Sequence, residues 1–199
     1  MLKTRKGIAI TLLSMVIFLL FIYYEITQGV KEYIPDTILF MVLLAVACIL
    51  YTKLNLDTPT YLSIIIALLL HNAGAFGWYN VSPIGLQWDH ITHIAAGITF
   101  ALMFSRVLLP QIHARKKALP IILIIFAAMG AGVLIEFYEF SGYYIVGEGM
   151  GGLGHGAGDI STELGNSEWL NTMLDLIFNL VGILLALITV IPQWHHRNP

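Results

Sequence analysis

Six long apolar stretches constrain this chain more than any other feature, because each is close to the length that crosses a lipid bilayer as a helix. A bilayer core about 30 Å thick needs roughly 20 apolar residues of helix. Prolines at positions 35, 59 and 110 fall in the predicted breaks between the stretches. The predicted spans are residues 7–25, 37–53, 60–79, 89–109, 119–143 and 171–192. The sequence therefore predicts an all-α, polytopic membrane protein whose six transmembrane helices form one bundle, with residues 1–199 as a single domain.

The composition agrees with this prediction. Hydrophobic residues make up 58 % of the chain and charged residues only 11 %, whereas soluble domains carry about 25 % charged residues. The ten Lys and Arg residues are not arranged as a nucleic-acid surface, so no nucleic-acid partner is expected. The first apolar run is too long for a signal peptide, and Tyr23-Tyr24 is not a small-residue cleavage site, so we expect a retained first helix.

The distribution of basic residues predicts the orientation. With the N-terminus in the cytoplasm, nine of the ten Lys and Arg residues lie on the cytoplasmic side, and only Lys31 lies outside. The opposite orientation contradicts the positive-inside bias. We therefore expect a multi-pass protein of the cell membrane with both termini cytoplasmic. The outer connection at residues 147–158, rich in glycine and containing His155, is interpreted as a flexible surface loop.

Ionisable side chains of the last three spans are predicted to lie at one depth near the outer face. At 1.5 Å per residue, His93 and Asp175 lie about 6 Å inside their spans, and Glu136 and Glu139 lie about 25 and 30 Å from the inner boundary of theirs. Asp89 and His93 are four residues apart and share one helix face. Buried acids and imidazoles in a membrane normally face the bundle interior and pair with one another. The pattern predicts a polar site built from three helices.

Further polar residues are candidates for the same layer. Asn171, Asp175 and Asn179 form one stripe at helical spacing. Glycines 97, 130 and 132 are predicted to let the helices around the site approach closely. The additional candidates for the polar cluster are His71, His90, Asp159, Asn171 and Asn179.

The residue types favour a metal site. Since no Lys or Arg lies among them, His protonation, proton sharing between carboxylates, or a cation must balance the charge. Imidazole nitrogen with carboxylate oxygen suits zinc, manganese or iron better than calcium. In this hypothesis His93, Glu136 and Asp175 bind a divalent metal (zinc or manganese), Glu139 is the general base and Asp89 orients His93. In the alternative, the cluster only fixes helix packing, and Asp89 and His90 cap or snorkel at a helix end.

Three stretches, in this order, resemble the VanZ-like group of small bacterial membrane proteins and the related YjdF-type family. They are Asp89 to His93, Ile135 to Glu139, and Asp175 to Gly182, and the resemblance spans about residues 85–190. His90 stands where VanZ-like proteins usually carry Lys, and Glu139 where they carry Gln, which favours the YjdF type. The resemblance implies a site but little about its function: VanZ-like proteins are associated with glycopeptide antibiotic resistance, and YjdF-type proteins are largely uncharacterised.

Three functions are weighed. The leading hypothesis is an outer-face His/carboxylate site that binds or acts on a lipid or cell-envelope component, in its enzymatic version as a metal-dependent membrane hydrolase. The second is an accessory or structural membrane protein without catalysis. The third is a proton- or cation-coupled transporter, which is weakened by the apolar inner halves of the last three spans and by the lack of an internal repeat. The expected partners are membrane lipids or a lipid-linked envelope component.

Overall fold

The computed structural model of the protein describes residues 2–79, 83–112, 118–146 and 167–197. Six segments, one around each long helix, are long and apolar enough to cross a membrane. This confirms the predicted all-α, six-helix membrane bundle. The helices are α1 (Leu2–Gln28), α2 (Ile34–Leu50), α3 (Thr58–Asn72), α4 (Trp88–Leu108), α5 (Ala118–Val146) and α6 (Ser167–Arg197).

Two helices begin earlier than predicted because their prolines lie inside the first turn. Pro35 belongs to α2 and Pro59 to α3. Proline is tolerated there because the first N–H groups of a helix have no intrahelical acceptor. Asp57 caps α3 by accepting a hydrogen bond from the Thr60 backbone N–H at 3.1 Å. The prediction that these prolines lie between the spans was wrong.

The third helix ends earlier than predicted. After Asn72 the chain forms a 3₁₀ turn, Ala73–Phe76, and Gly77 then takes a left-handed φ of 81°, which glycine adopts without steric cost. His71 and Asn72 therefore lie in the last turn of α3.

Glycines bring the backbones of α4 and α6 into contact. A Cβ atom at Gly97 would overlap the carbonyl oxygen of Asn179, and one at Gly182 would overlap the carbonyl oxygen of Ile94. The two glycines thus lie on opposite sides of one helix–helix contact. Small residues are common where membrane helices approach this closely. Their contact fixes the register of α4 against α6.

The other two predicted glycine contacts have different outcomes. Gly132 of α5 lies against the Asn179 side chain, because a Cβ there would be 2.9 Å from the Asn179 amide nitrogen. Gly130 has no atom within 4 Å of an equivalent Cβ, and it is exposed. The prediction of a close approach at Gly130 was wrong, because the residue faces away from the neighbouring helices.

Each half of the bundle has an apolar core. The core of α1–α3 includes Phe18, Leu44, Tyr61 and Ile65, and the core of α4–α6 includes Ala101, Ile124, Ala128 and Ile183. The halves meet where α3 packs on α4: the Thr99 hydroxyl donates to the Ser63 carbonyl at 3.0 Å, and Arg106 forms an ion pair with Asp57. Helices α1, α3 and α5 end, and helices α2, α4 and α6 begin, at the same end of the bundle. We call this end the site end.

Candidate functional site

His93 is the centre of the polar cluster at the site end. It is 4 % exposed, and its two ring nitrogens face different carboxylates. Nε2 lies 3.5 Å from Asp89 Oδ1 and 3.7 Å from Asp175 Oδ1. Nδ1 lies 3.8 Å from Glu136 Oε1. The structure therefore brings α4, α5 and α6 together around one imidazole, as the sequence predicted.

The Nε2 side of His93 forms the first group of possible metal ligands, with Asp89 and Asp175, whose ligand atoms lie within 4.8 Å of one another. Asp175 is fully buried, and neither of its oxygens accepts a hydrogen bond from an N–H or O–H group of the described residues. Its other polar neighbour on this side is the Asp89 carboxylate.

The spacing on the Nε2 side is informative. N–H···O hydrogen bonds have donor–acceptor distances of about 2.7–3.2 Å, and both carboxylates lie further from Nε2 than this. Around a tetrahedral metal with ligands at about 2.0–2.2 Å, neighbouring ligand atoms lie about 3.3–3.6 Å apart. The separations of 3.5 and 3.7 Å are therefore closer to the edges of a metal coordination shell than to hydrogen bonds.

The Nδ1 side of His93 forms the second group, with Glu136 and Glu139. The Asn179 amide nitrogen also lies 3.1 Å from Nδ1, and the amide oxygen has no hydrogen-bond partner among the described residues. An amide can donate to a bare ring nitrogen or, after rotation, accept from a protonated one. With the amide rotated so that its oxygen faces Nδ1, Asn179 holds the tautomer that carries its proton on Nδ1 and presents a lone pair at Nε2.

The imidazole ring separates residues that the sequence analysis assigned to one ligand set. Glu136 lies beside Nδ1 and Asp175 beside Nε2, so the predicted set of His93, Glu136 and Asp175 draws on both sides of the ring. Asp89, predicted to orient His93, instead lies with Asp175 on the Nε2 side. Helical spacing gives the depth and face of a residue, but it does not give the rotation of an imidazole ring.

The remaining candidates lie near the cluster but outside both groups. The His90 ring stacks on Phe178, with centroids 4.0 Å apart. His71 Nδ1 lies 3.0 Å from the Tyr79 hydroxyl. Asn171 is buried, and its amide oxygen has no partner among the described residues. Neither histidine belongs to the two groups of possible ligands.

Two predicted features lie outside the described residues. One is the glycine-rich stretch 147–158 with His155, and the other is the candidate Asp159. The predictions made for them are untested.

The sequence analysis missed a second polar cluster, which lies in the first half of the chain. We call Glu25, Thr37 and Asn72 the Glu25 group. The Thr37 hydroxyl donates to Glu25 Oε1 at 2.8 Å and accepts from Asn72 Nδ2 at 2.6 Å, and all three residues are fully buried. Beside them, Asp36 accepts a hydrogen bond from the Tyr138 hydroxyl at 3.1 Å, which joins α2 to α5. The available signal was an acid at the end of each of two apolar runs, a position that is also typical of a span boundary.

Together, the fold and the site define a polytopic helical membrane protein with a buried histidine–carboxylate cluster at one end of its bundle. The chain belongs to a family described as a predicted membrane protein (DUF2238), through a match that covers residues 9–196. This match includes the first three helices, which the resemblance to VanZ-like and YjdF-type proteins did not reach. No curated protein and no solved structure matches the chain. The membrane family is thus established, and the narrower affiliation stays a prediction.

Proposed function

We propose that this protein is a metal-dependent membrane hydrolase that acts on a lipid or lipid-linked component at the outer face of the cell membrane. One observation carries the proposal: His93 Nε2 faces two carboxylates at 3.5 and 3.7 Å, which is closer to the separation of metal ligands than to that of hydrogen bonds. Zinc or manganese suits these donor atoms.

Charge supports a divalent ion. Asp89 and Asp175 with a neutral imidazole carry two negative charges, and no Lys or Arg of the described residues lies within ion-pair distance of them. Buried carboxylates inside a membrane are costly unless they are paired. One divalent cation offsets both charges and provides the buried Asp175 oxygens with a partner.

The proposed ligands are therefore His93 Nε2, Asp89 and Asp175. Catalytic zinc sites typically use three protein ligands and keep a further position for water or substrate. A metal in such a site activates water and polarises a carbonyl or phosphoryl oxygen. Compared with the sequence-based hypothesis, Asp89 changes from an orienting residue to a ligand.

The residues on the Nδ1 side have supporting roles in this proposal. Asn179 orients His93 through Nδ1, as partners of the second ring nitrogen commonly do in metal sites, and Glu136 adds negative charge on the same side, 3.8 Å from Nδ1. Glu139 is only partly buried and acts electrostatically on Asp175. We assign it as general base, and because it lies on the Nδ1 side of the ring, opposite the proposed ligands, it would take the proton through one intervening water.

The surroundings of the site support a lipid-like substrate. Phe137 and Phe140, which flank the acids of α5 in sequence, are 61 % and 64 % exposed, so the helix that carries Glu136 presents apolar side chains on its outward face. Away from the site end, α4–α6 close around an apolar core that includes Ala101, Ile124 and Ile183. This supports chemistry at one face over transport through the bundle. The stretches that resemble VanZ-like and YjdF-type proteins contain the proposed ligands, which agrees with an envelope-related role.

Metal analysis tests the proposal directly. Full-length protein purified in detergent should contain about one zinc or manganese ion per chain, and Asp175→Asn should reduce this at least tenfold, because it removes a ligand charge while keeping the shape. Glu25→Gln, a matched change of a buried acid in the other half, should keep the metal. A parent protein without stoichiometric metal would exclude the hydrolase proposal.

The orientation needs a separate test. Lys31 and Lys53 are both exposed and lie at opposite ends of α2. In a Cys48→Ser background, a membrane-impermeant maleimide added to intact cells should label a Lys31→Cys variant and leave Lys53→Cys unlabelled. The reverse pattern would place the site at the cytoplasmic face and overturn the outer-face assignment.

A further inference from the structure

Glu25 is a fully buried acid in a membrane-spanning segment. Among the described residues, no Lys, Arg or His lies within ion-pair distance of it. The charged groups that act on it are Asp36 of α2 and Glu32 of the preceding turn, both acidic, with the neutral Tyr33 phenol nearby. On the α3 side it faces the neutral Asn72 across Thr37. An ionised carboxylate in these surroundings is strongly disfavoured.

Two oxygens of the Glu25 group accept no hydrogen bond from the described residues. Thr37 satisfies Glu25 Oε1 and the Asn72 amide nitrogen. Glu25 Oε2 and Asn72 Oδ1 are buried and have no hydrogen-bond partner among the described residues. Both orphan atoms are acceptors, so the group lacks either a donor or a cation.

The small number of orphan oxygens favours a hydrogen-bond donor over a cation. Hard cations such as calcium take about six to eight oxygen ligands, far more than the two orphans provide. The separations of 2.8 and 2.6 Å within the group are direct hydrogen bonds, unlike the wider gaps around His93 Nε2. One proton on Oε2 removes the charge of Glu25 and converts that oxygen into a donor, and Asn72 Oδ1 is the acceptor that the same group offers.

We propose that the Glu25 group is a proton-binding site, in which Glu25 is held as a carboxylic acid by Thr37 and Asn72. The site is distinct from the proposed metal site, since neither Glu25 nor its two partners belongs to the groups around His93. The protein would then hold two kinds of counter-charge at its site end: a divalent metal in the α4–α6 half and a proton in the α1–α3 half.

Infrared difference spectroscopy tests this inference. The spectrum of full-length parent protein minus that of Glu25→Gln at pH 7 should contain the carbonyl band of a protonated carboxyl group, shifted in D₂O. Glu32→Gln, which changes a partly exposed acid nearby, should instead remove carboxylate bands. Metal chelation should leave the Glu25 band unchanged. The test of the Glu25 group therefore gives its result whether or not the protein binds a metal. A loss of carboxylate bands in Glu25→Gln would overturn the inference.

A second measurement needs no variant. A hydrophobic carbodiimide adds to protonated carboxyl groups in apolar surroundings. With the full-length parent protein at pH 7, peptide mass spectrometry should find at least tenfold more adduct on Glu25 than on Glu32, and the Glu25 labelling rate should fall as the pH is raised. Equal labelling of the two acids, or no adduct on Glu25, would contradict the proposal.

Discussion

The two halves of the bundle bury acids at the same end in different ways. In α4–α6, carboxylates stand 3.5–3.8 Å from the His93 ring, too far for direct hydrogen bonds. In α1–α3, the Glu25 carboxylate, the Thr37 hydroxyl and the Asn72 amide are joined by hydrogen bonds of 2.8 and 2.6 Å. The comparison shows that burial of an acid does not by itself define its ligand. The distance between neighbouring polar atoms is what differs between the candidate metal site and the candidate proton site.

Backbone packing explains how the wider spacing is maintained. Gly97 and Gly182 hold α4 and α6 in backbone contact, which fixes the distance between the His93 and Asp175 side chains. In the other half, Thr37 is short enough to lie between α1 and α3 and to bond to both. The glycine contact is therefore the feature whose loss should alter the α4–α6 half most.

The largest effect is expected for Gly97→Leu. A side chain at position 97 overlaps the Asn179 backbone, and backbone cannot move aside as a flexible side chain can. We expect the free energy of unfolding, measured by SDS titration of the purified protein, to fall by about 3 kcal/mol, with loss of bound metal. Gly130→Leu is the matched control: its site is open, and the free energy should change by less than about 1 kcal/mol. Equal stability of the two variants would show that the contact does not fix the helices.

The α4–α6 site was largely predictable from the sequence, because depth and helical spacing are backbone properties. Counting residues from the span ends placed His93, Glu136 and Asp175 at one level, and the structure brings all three together. The division of the carboxylates between the two ring nitrogens was not predictable, since it depends on the side-chain rotamer of His93. Gly182 was also missed as a packing residue, because one glycine in an apolar run gives no sign of which helix it faces.

The α1–α3 group was not predictable by the same procedure. Glu25 and Asp36 stand at the ends of apolar runs, and an acid in that position is indistinguishable by hydropathy from a boundary residue facing water. Asn72 falls inside the longer predicted span 60–79, because the 3₁₀ turn that follows it is apolar enough to resemble helix. Only the packing of α1, α2 and α3 reveals that these side chains meet.

Metal removal should lower the free energy of unfolding somewhat less than Gly97→Leu does, and it should act through the α4–α6 half alone. A ligand present at 100 times its dissociation constant stabilises the folded state by about 2.7 kcal/mol. A chelator should therefore lower the free energy of unfolding of the parent protein by about this amount, in proportion to the metal lost. Glu25→Gln should respond as the parent does, whereas Asp175→Asn should not respond to the chelator. A chelator effect that persists in Asp175→Asn would place the metal elsewhere.

Thr37→Val should have a moderate effect that is confined to the α1–α3 half. Valine keeps the shape of threonine but removes the hydroxyl that bonds to Glu25 and Asn72. Hydrogen bonds between membrane helices contribute about 0.6–1.7 kcal/mol each, so we expect a loss of about 1–2 kcal/mol with unchanged metal content. Thr27→Val is the control, because its hydroxyl bonds only within an exposed turn of α1. A change below about 0.5 kcal/mol in Thr37→Val would mean that Thr37 does not hold the group together.

The smallest effect is expected for His90→Phe, which tests the boundary of the α4–α6 site. His90 neighbours the ligands in sequence, yet its ring stacks on Phe178 with planes 22° apart and belongs to neither ligand group. Phenylalanine keeps the stacked aromatic ring and removes only the two ring nitrogens. The metal content should therefore equal that of the parent, and the free energy of unfolding should change by less than about 0.5 kcal/mol. Loss of metal in this variant would extend the ligand set to His90, and the contrast between the two halves would then depend on more than the residues that surround His93.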